Sequence, residues 1–119
     1  MTKNYTDLIV WQKAMDLVTE IYRITRELPK DELFGLTSQL RRAAVSIPSN
    51  IAEGQGRLSK GEFRVFLGNA RGSLAEVETQ ILIAQNLSYL DEPEINRLLA
   101  MVEEVGKVLN GVLSAVKNQ

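Results

Sequence analysis

Serine and glutamate side chains are common in this sequence, but the residues that usually turn them into catalytic or metal sites are missing. The sequence contains no histidine and no cysteine. Without histidine it lacks the usual general base at neutral pH and the commonest transition-metal ligand, and without cysteine it can form neither disulfides nor a zinc–thiolate site. Its serines therefore have no histidine to activate them for nucleophilic attack. We expect no catalytic residue and no cofactor, and we interpret the protein as a non-enzyme.

Four glutamates are the remaining candidates for a metal centre, because four-helix proteins often hold two metal ions between glutamates and Glu-x-x-His pairs. That kind of site requires histidine, which the sequence lacks. The glutamates also lie off the apolar rows of their predicted helices, as is typical of solvated faces; they are Glu76, Glu78, Glu103 and Glu104. We therefore expect no metal site.

The clearest sign of a ligand is an uneven distribution of charge. The net charge of the chain is −1, but residues 36–71 hold six basic against two acidic side chains, whereas residues 72–119 hold three basic against seven acidic. Basic side chains attract nucleic-acid phosphates and release counterions when they bind them. The candidate phosphate-binding residues are Arg41, Arg57, Lys60, Arg64 and Arg71. Direct RNA binding without sequence preference is therefore one function that this segment suggests.

Arg42 is predicted to have a different role from its neighbour Arg41, because adjacent helical residues project about 100° apart. On a helix it shares a face with Ser38 and Ser49, and Glu53 follows three turns later. The rigid donor fork of arginine suits a carboxylate partner. We predict that Arg42 forms a structural ion pair, within the chain or across subunits.

The spacing of apolar residues predicts four helices that would position these side chains. They cover about residues 7–28 and 36–54, a third segment from residue 60, and a fourth from residue 92 after a turn at residues 86–90. No strand pattern is present, and short connections between long helices imply antiparallel neighbours. The predicted fold class is all-α, an antiparallel up-down four-helix bundle forming a single domain over residues 1–119.

Local signals set the expected ends of these helices. Thr6 or Asp7 is a suitable N-cap for the first helix, and Pro29 would end it. Ser59, followed by a glutamate three residues later, is typical of a capping box that begins the third helix. Asp91 is the expected N-cap of the fourth helix.

The first helix is apolar over roughly 200° of its circumference. One row contains Leu8, Trp11, Met15, Val18 and Tyr22, and the other contains Val10, Ala14, Leu17, Ile21, Ile24 and Leu28. Such width indicates burial against both its own bundle and a neighbouring subunit; a position central to one core is the alternative. The predicted oligomer interface combines part of this helix with the small-residue face of the second: Val10, Leu17, Ile21, Ile24, Ser38, Arg42 and Ser49.

Pro48 lies in the middle of the second predicted helix. It has no N–H and its ring clashes with the carbonyl four residues back, that of Ala44, so we predict a structural kink there. The alternative is a helix that ends near Ile47 and restarts after the proline. Gly54-Gln55-Gly56 would end the helix through a left-handed glycine cap. In the third helix, Gly68 and Gly72 mark either close helix contact or tolerated surface positions.

Three segments together resemble a known family: LIVWQKA at residues 8–14, FGLTSQLRRAA at 34–44 and SIPSNIAEG at 46–54. They are similar to the bacterial four-helix bundle protein family, also labelled 23S rRNA intervening-sequence protein. A relative is the accessory variability determinant of diversity-generating retroelements, which works beside a reverse transcriptase and its RNA. The resemblance implies a homopentameric ring, so that the partners would be other copies of the chain and RNA or a reverse-transcriptase-like protein.

The combined interpretation is a homo-oligomeric scaffold or accessory protein that supports a nucleic-acid enzyme or RNA, with direct RNA binding by segment 41–71 as the alternative. The first residues do not form a signal peptide, and no apolar run is long enough to span a bilayer. We therefore expect a cytoplasmic protein with neither a membrane partner nor a small-molecule substrate.

Overall fold

The computed structural model describes residues 4–117 and contains four long helices. They are α1 (Ile9–Thr25), α2 (Leu36–Gln55), α3 (Lys60–Asn86) and α4 (Glu92–Lys117), and short 3₁₀ turns lie at Tyr5–Asp7 and Lys30–Glu32. Each helix packs against the next along the chain, and α4 closes the bundle against α1. No strand occurs among the described residues. The predicted all-α four-helix fold is confirmed.

The core is built from one row of apolar residues on each helix, advancing alternately by three and four positions, as in knobs-into-holes packing. The fully buried large side chains of these rows include Leu17, Ile21, Ile24, Leu40, Ile47, Ile51, Leu67, Ile81, Ile95, Leu98 and Leu109. The spacing in the sequence predicted these rows on all four helices. What it could not decide was which of the two rows on α1 faces inward.

The structure corrects the predicted oligomer interface on α1. Val10, Leu17, Ile21 and Ile24 are at most 1% exposed in the single chain. Because the chain's own core already covers them, the interface prediction is wrong for these four residues. The other row of α1 is the one that faces outward: Met15 is 39% exposed, and Trp11 and Val18 are half-buried.

Side-chain caps begin α3 and α4, whereas the N-cap residues of α1 and α2, Leu8 and Gly35, make no side-chain cap. The Ser59 Oγ accepts a hydrogen bond from the Glu62 N–H at 3.1 Å, and the Asp91 Oδ1 accepts one from the Glu94 N–H at 3.1 Å. Both predicted caps are confirmed. At α1 the cap prediction is wrong, because a 3₁₀ turn capped by Asn4 precedes the helix and delays its start to Ile9.

Helix α2 runs without interruption through Pro48, which is buried, so the alternative of a helix break is wrong. The predicted left-handed glycine cap is also wrong. Gly56 has a φ of −80°, and its N–H still bonds to the carbonyl oxygens of Ala52 and Glu53. Within residues 4–117, Ser88 in the turn between α3 and α4 is the one non-glycine residue with a positive φ, at 60°.

Glycine is needed where α2 and α3 converge on their shared turn. A Cβ at Gly54 would lie 2.7 Å from the Cβ of Phe66 and 3.0 Å from the Cδ1 of Phe63, closer than atoms pack. By contrast, a Cβ at Gly68 or Gly72 would meet no neighbouring atom within 4 Å. Within the single chain these two are tolerated surface glycines that make no close helix contact.

Four charged side chains join α1 to α4. Arg97 lies 2.7 Å from Glu20 and 3.2 Å from Glu94, while Arg23 lies 3.0 Å from Glu20 and 3.1 Å from Glu94. Each charge therefore has two partners of opposite sign. Partial burial favours the protonated form of Glu20, but hydrogen bonds from Arg23 and Arg97 outweigh that effect and lower its pKa.

Candidate nucleic-acid interface

Three basic side chains form a row along α3, on the side that borders α4. Lys60, Arg64 and Arg71 are separated by four and seven residues, so they share a helix face, and all three are exposed. Among residues 4–117, no carboxylate lies within 4.0 Å of any of them. We call this row the basic edge. Its charge is available to an external anion.

Arg57 lies in the turn that precedes the basic edge, but it already has partners. Its Nη2 lies 2.7 Å from the Glu53 Oε2, and its guanidinium is 4.7 Å from the ring centroid of Phe66. Both members of the ion pair are largely exposed. Any phosphate at Arg57 would therefore compete with Glu53.

Arg41 lies apart from the other predicted phosphate-binding residues. Its Nε donates a hydrogen bond to the Thr25 Oγ1 at 2.8 Å, and its guanidinium is 4.8 Å from the ring centroid of Tyr22. Arg57 lies beyond the end of α2, and the stretch of α2 from Arg41 to Gln55 alone spans about 21 Å. The structure thus uses Arg41 to tie α2 to the end of α1 and does not bring it to the basic edge.

Arg42 is exposed, and within residues 4–117 no carboxylate lies within 4.0 Å of it. The predicted ion pair inside the chain is therefore wrong, because Glu53 pairs with Arg57 instead. An ion pair across subunits stays a prediction. On the same outer face of α2, Ser38 is half-buried and Ser49 is exposed.

An apolar surface formed by α1 and α2 lies beside the outer face of α2. Trp11, Met15 and Val18 of α1, with Val45 and Pro48 of α2, line a groove of about 340 Å³. Tyr5 extends the groove, with its ring 5.4 Å from that of Trp11 in an edge-on arrangement. Met15 and Val45 are each 39% exposed. We call this surface the α1–α2 face; its side chains offer apolar contact and little chemistry.

Other kinds of site have less support in the part of the chain that the structure covers. Residues 4–117 contain no group of three or more acidic side chains placed to hold a metal ion. None of the helices described here combines the length and the apolar character that crossing a membrane requires. The two surfaces described above therefore offer positive charge along α3 and apolar contact across α1 and α2.

The comparisons with known proteins agree with this architecture. The family described as 23S rRNA-intervening sequence protein matches residues 6–111. A similar solved structure is a crystal structure of a protein with unknown function from the S23 ribosomal protein family of Bacteroides thetaiotaomicron. It has a TM-score of 0.83 and 20% identity over 89% of this chain and 96% of that chain, which shows a shared fold. No curated protein matches. Since the family match spans most of the sequence, the chain belongs to the 23S rRNA-intervening sequence protein family.

Proposed function

We propose that the protein is a non-enzymatic accessory subunit that assembles with copies of itself and supports a nucleic-acid enzyme or RNA. The observation that carries this proposal is the α1–α2 face. Its apolar side chains are contiguous and come from two helices, whereas isolated exposed apolar residues would need no explanation. Burying apolar surface is worth about 25 cal/mol per Å², so this face favours association.

The resemblance of the sequence motifs implies a homopentameric ring as the assembly. A ring requires that two different surfaces of the chain meet, since a surface that pairs with itself gives a dimer. The outer side of α3 offers a second surface. A row of exposed, uncharged residues lies there, opposite the core row, and its positions advance alternately by four and three. It contains Gly61, Val65, Gly68, Gly72, Ala75, Thr79 and Leu82. We propose that this row meets the α1–α2 face of the next subunit.

Light scattering on a size-exclusion peak tests the assembly. We expect the wild-type chain to elute as an oligomer with the mass of a pentamer. Met15→Lys should reduce that mass, because it places a charge at the centre of the α1–α2 face. Leu87→Lys is the matched control, since Leu87 is 51% exposed in the turn after α3. A wild-type monomer at micromolar concentration would contradict the proposal.

RNA binding at the basic edge is the second candidate function, because Lys60, Arg64 and Arg71 lie in a row with no acidic partner among the described residues. In a ring, the edge would be repeated in every subunit, and weak contacts would add through multivalency. The bound RNA would be held by its phosphates and without sequence preference.

Filter binding with single-stranded and structured RNA tests this second function. Three phosphate contacts per subunit should give a slope of about −2 in a plot of log affinity against log salt. Replacing Lys60, Arg64 and Arg71 with glutamate should abolish binding at low salt. Arg26→Glu with Lys30→Glu, at exposed positions in the α1–α2 connection, is the control. Binding that survives the triple replacement would exclude the basic edge.

A further inference from the structure

A polar groove of about 460 Å³ runs between α2 and α3, outside the basic edge and the α1–α2 face. Hydrogen bonds cross its floor at two levels. Gln80 donates from its Nε2 to the Gln39 Oε1 at 3.5 Å, and the hydroxyls of Ser46 and Ser73 are 2.8 Å apart. These levels are seven residues apart on both helices, so the floor is about 10 Å long.

Gln80 is the residue that indicates a ligand. It is 8% exposed, and its Oε1 accepts no hydrogen bond from any group among residues 4–117. A carboxamide has two polar ends, and the protein bonds to one of them across a long 3.5 Å contact. Leaving a buried acceptor unpaired costs stability. This oxygen has less than 1 Å² of accessible surface, so a donor from outside the chain reaches it when the carboxamide turns toward the groove, and the long contact with Gln39 makes that rotation inexpensive.

The walls of the groove carry one charge of each sign. Arg42 on α2 and Glu76 on α3 both line it, midway between the two bonded levels. In the described part of the chain they form no ion pair with each other or with any other residue. At one end stands Phe34, which is 94% exposed. The groove thus carries one positive and one negative side chain, is neutral overall, and is bordered by an exposed aromatic ring.

An extended peptide matches this arrangement. Its backbone alternates N–H donors and C=O acceptors, and at about 3.3 Å per residue three residues span the floor. Successive side chains of an extended strand point in opposite directions, so neighbouring acidic and basic residues would reach Arg42 and Glu76 on the two walls. RNA fits less well, because one arginine balanced by one glutamate offers no net charge to phosphates.

We infer that the groove between α2 and α3 binds a short extended segment of a partner protein, with a backbone N–H on the Gln80 Oε1. The segment carries an acidic residue beside a basic one, and an apolar side chain packs on Phe34. The inference rests on the proposed accessory role only in taking the ligand to be part of a partner protein. The site itself belongs to one subunit.

Selection of random heptapeptides displayed on phage, using the intact chain as bait, tests the inference. The recovered peptides should share an adjacent acidic–basic pair and should then be titrated as synthetic peptides by calorimetry. Gln80→Met keeps the length of the side chain and removes the acceptor. We expect this substitution to lower the affinity for the selected peptides by about tenfold or more. Gln85→Met, an exposed position on the same helix, is the matched control and should leave the affinity unchanged.

A second variant keeps the test independent of folding at the buried position. Glu76→Gln, on the exposed wall, should remove the preference for the basic residue and keep the preference for the acidic one. Three results would overturn the inference: no recovered peptide that depends on Gln80, a groove that is filled by a second copy of the chain, or oligouridylate binding that Gln80→Met abolishes.

Light scattering on the same samples separates this inference from the proposed function. A monomer that binds the selected peptides would contradict the assembly and leave the groove's role intact. An oligomer that recovers no peptide would contradict the groove's role alone.

Discussion

The boundary between α1 and α4 and the boundary between α2 and α3 both carry polar side chains, and they use them differently. At the first, Glu20, Arg23, Glu94 and Arg97 each contact two partners of opposite charge. One Arg97 nitrogen, Nη2, makes no hydrogen bond there but lies 3.2 Å from the Glu94 Oε1. At the second, Arg42 and Glu76 have no charged partner among the described residues, and the Gln80 Oε1 is unpaired. The contrast suggests that α1–α4 polar groups serve stability, and that those between α2 and α3 are held for a ligand.

The largest expected effect concerns the close approach that shapes the α2–α3 boundary. Gly54→Ala places a methyl group 2.7 Å from the Phe66 Cβ, so α2 and α3 must separate there. We expect a loss of about 1–3 kcal/mol in the free energy of unfolding, as for other overpacked cores. Urea denaturation measures it.

Gly111→Ala, at an exposed position of α4, is the control, because its methyl group enters open space and Gly111 belongs to neither of the surfaces proposed to meet in a ring. Replacing an exposed helical glycine by alanine should raise stability by about 0.5–1 kcal/mol. Equal effects of the two substitutions would show that the tight contact at Gly54 does not determine how α2 and α3 pack.

The next effect tests the paired boundary. Glu20→Gln removes a carboxylate that bonds to Arg23 and Arg97, and we expect a loss of about 1 kcal/mol near neutral pH. Glu103→Gln is the control, since Glu103 and Lys107 are about 70% exposed and such pairs contribute little. A smaller loss for Glu20→Gln than for Glu103→Gln would contradict a stabilising role for the α1–α4 network.

The stability difference between wild type and Glu20→Gln should depend on pH in a direction that can be measured. The pKa of Glu20 is lower in the folded chain than in the unfolded chain, because the hydrogen bonds from the two arginines outweigh burial. Its contribution is therefore complete above the unfolded value of about 4.3 and is lost as the pH falls through the lower folded value. Thermal midpoints of wild type and Glu20→Gln should converge as the pH is lowered below about 4.

The smallest expected effects concern the charged walls of the groove between α2 and α3. Glu76→Gln removes a charge that has no partner in the described part of the chain, so its free energy of unfolding should stay within about 0.5 kcal/mol of wild type. Arg42→Gln should behave in the same way. A substantial loss in either variant would reveal a structural role for the groove walls and weaken the contrast between the boundaries.

Much of the fold was predictable because its signals are local. The alternating spacing of apolar residues defined the inward row of α2, α3 and α4, and Ser59 and Asp91 marked two helix starts within three residues of the bonds they make. The inward row of α1 was not predictable. Both of its rows are apolar, and only packing against α2 and α4 selects the one that contains Leu17 and Ile21.

The sites were less predictable because they depend on contacts between distant residues. Gln39 and Gln80 are 41 residues apart in sequence, and Ser46 and Ser73 are 27 apart. One signal was available: Ser73 and Gln80 are seven residues apart beside the core row of α3, where a bundle would normally place apolar residues. The basic edge was found from charge alone, but only the structure separated Arg41 from it.

The free energy of unfolding of Gln80→Met, measured in urea beside Gln85→Met at one protein concentration, tests most directly whether the α2–α3 boundary is built for binding. Gln80→Met removes an unpaired buried acceptor and also the long 3.5 Å bond to the exposed Gln39. Because the first change outweighs the second, Gln80→Met should be more stable than wild type, by up to about 1 kcal/mol, whereas Gln85→Met should be unchanged. A comparable loss of stability in Gln80→Met would show that Gln80 holds α2 and α3 together, and would contradict its assignment to a ligand.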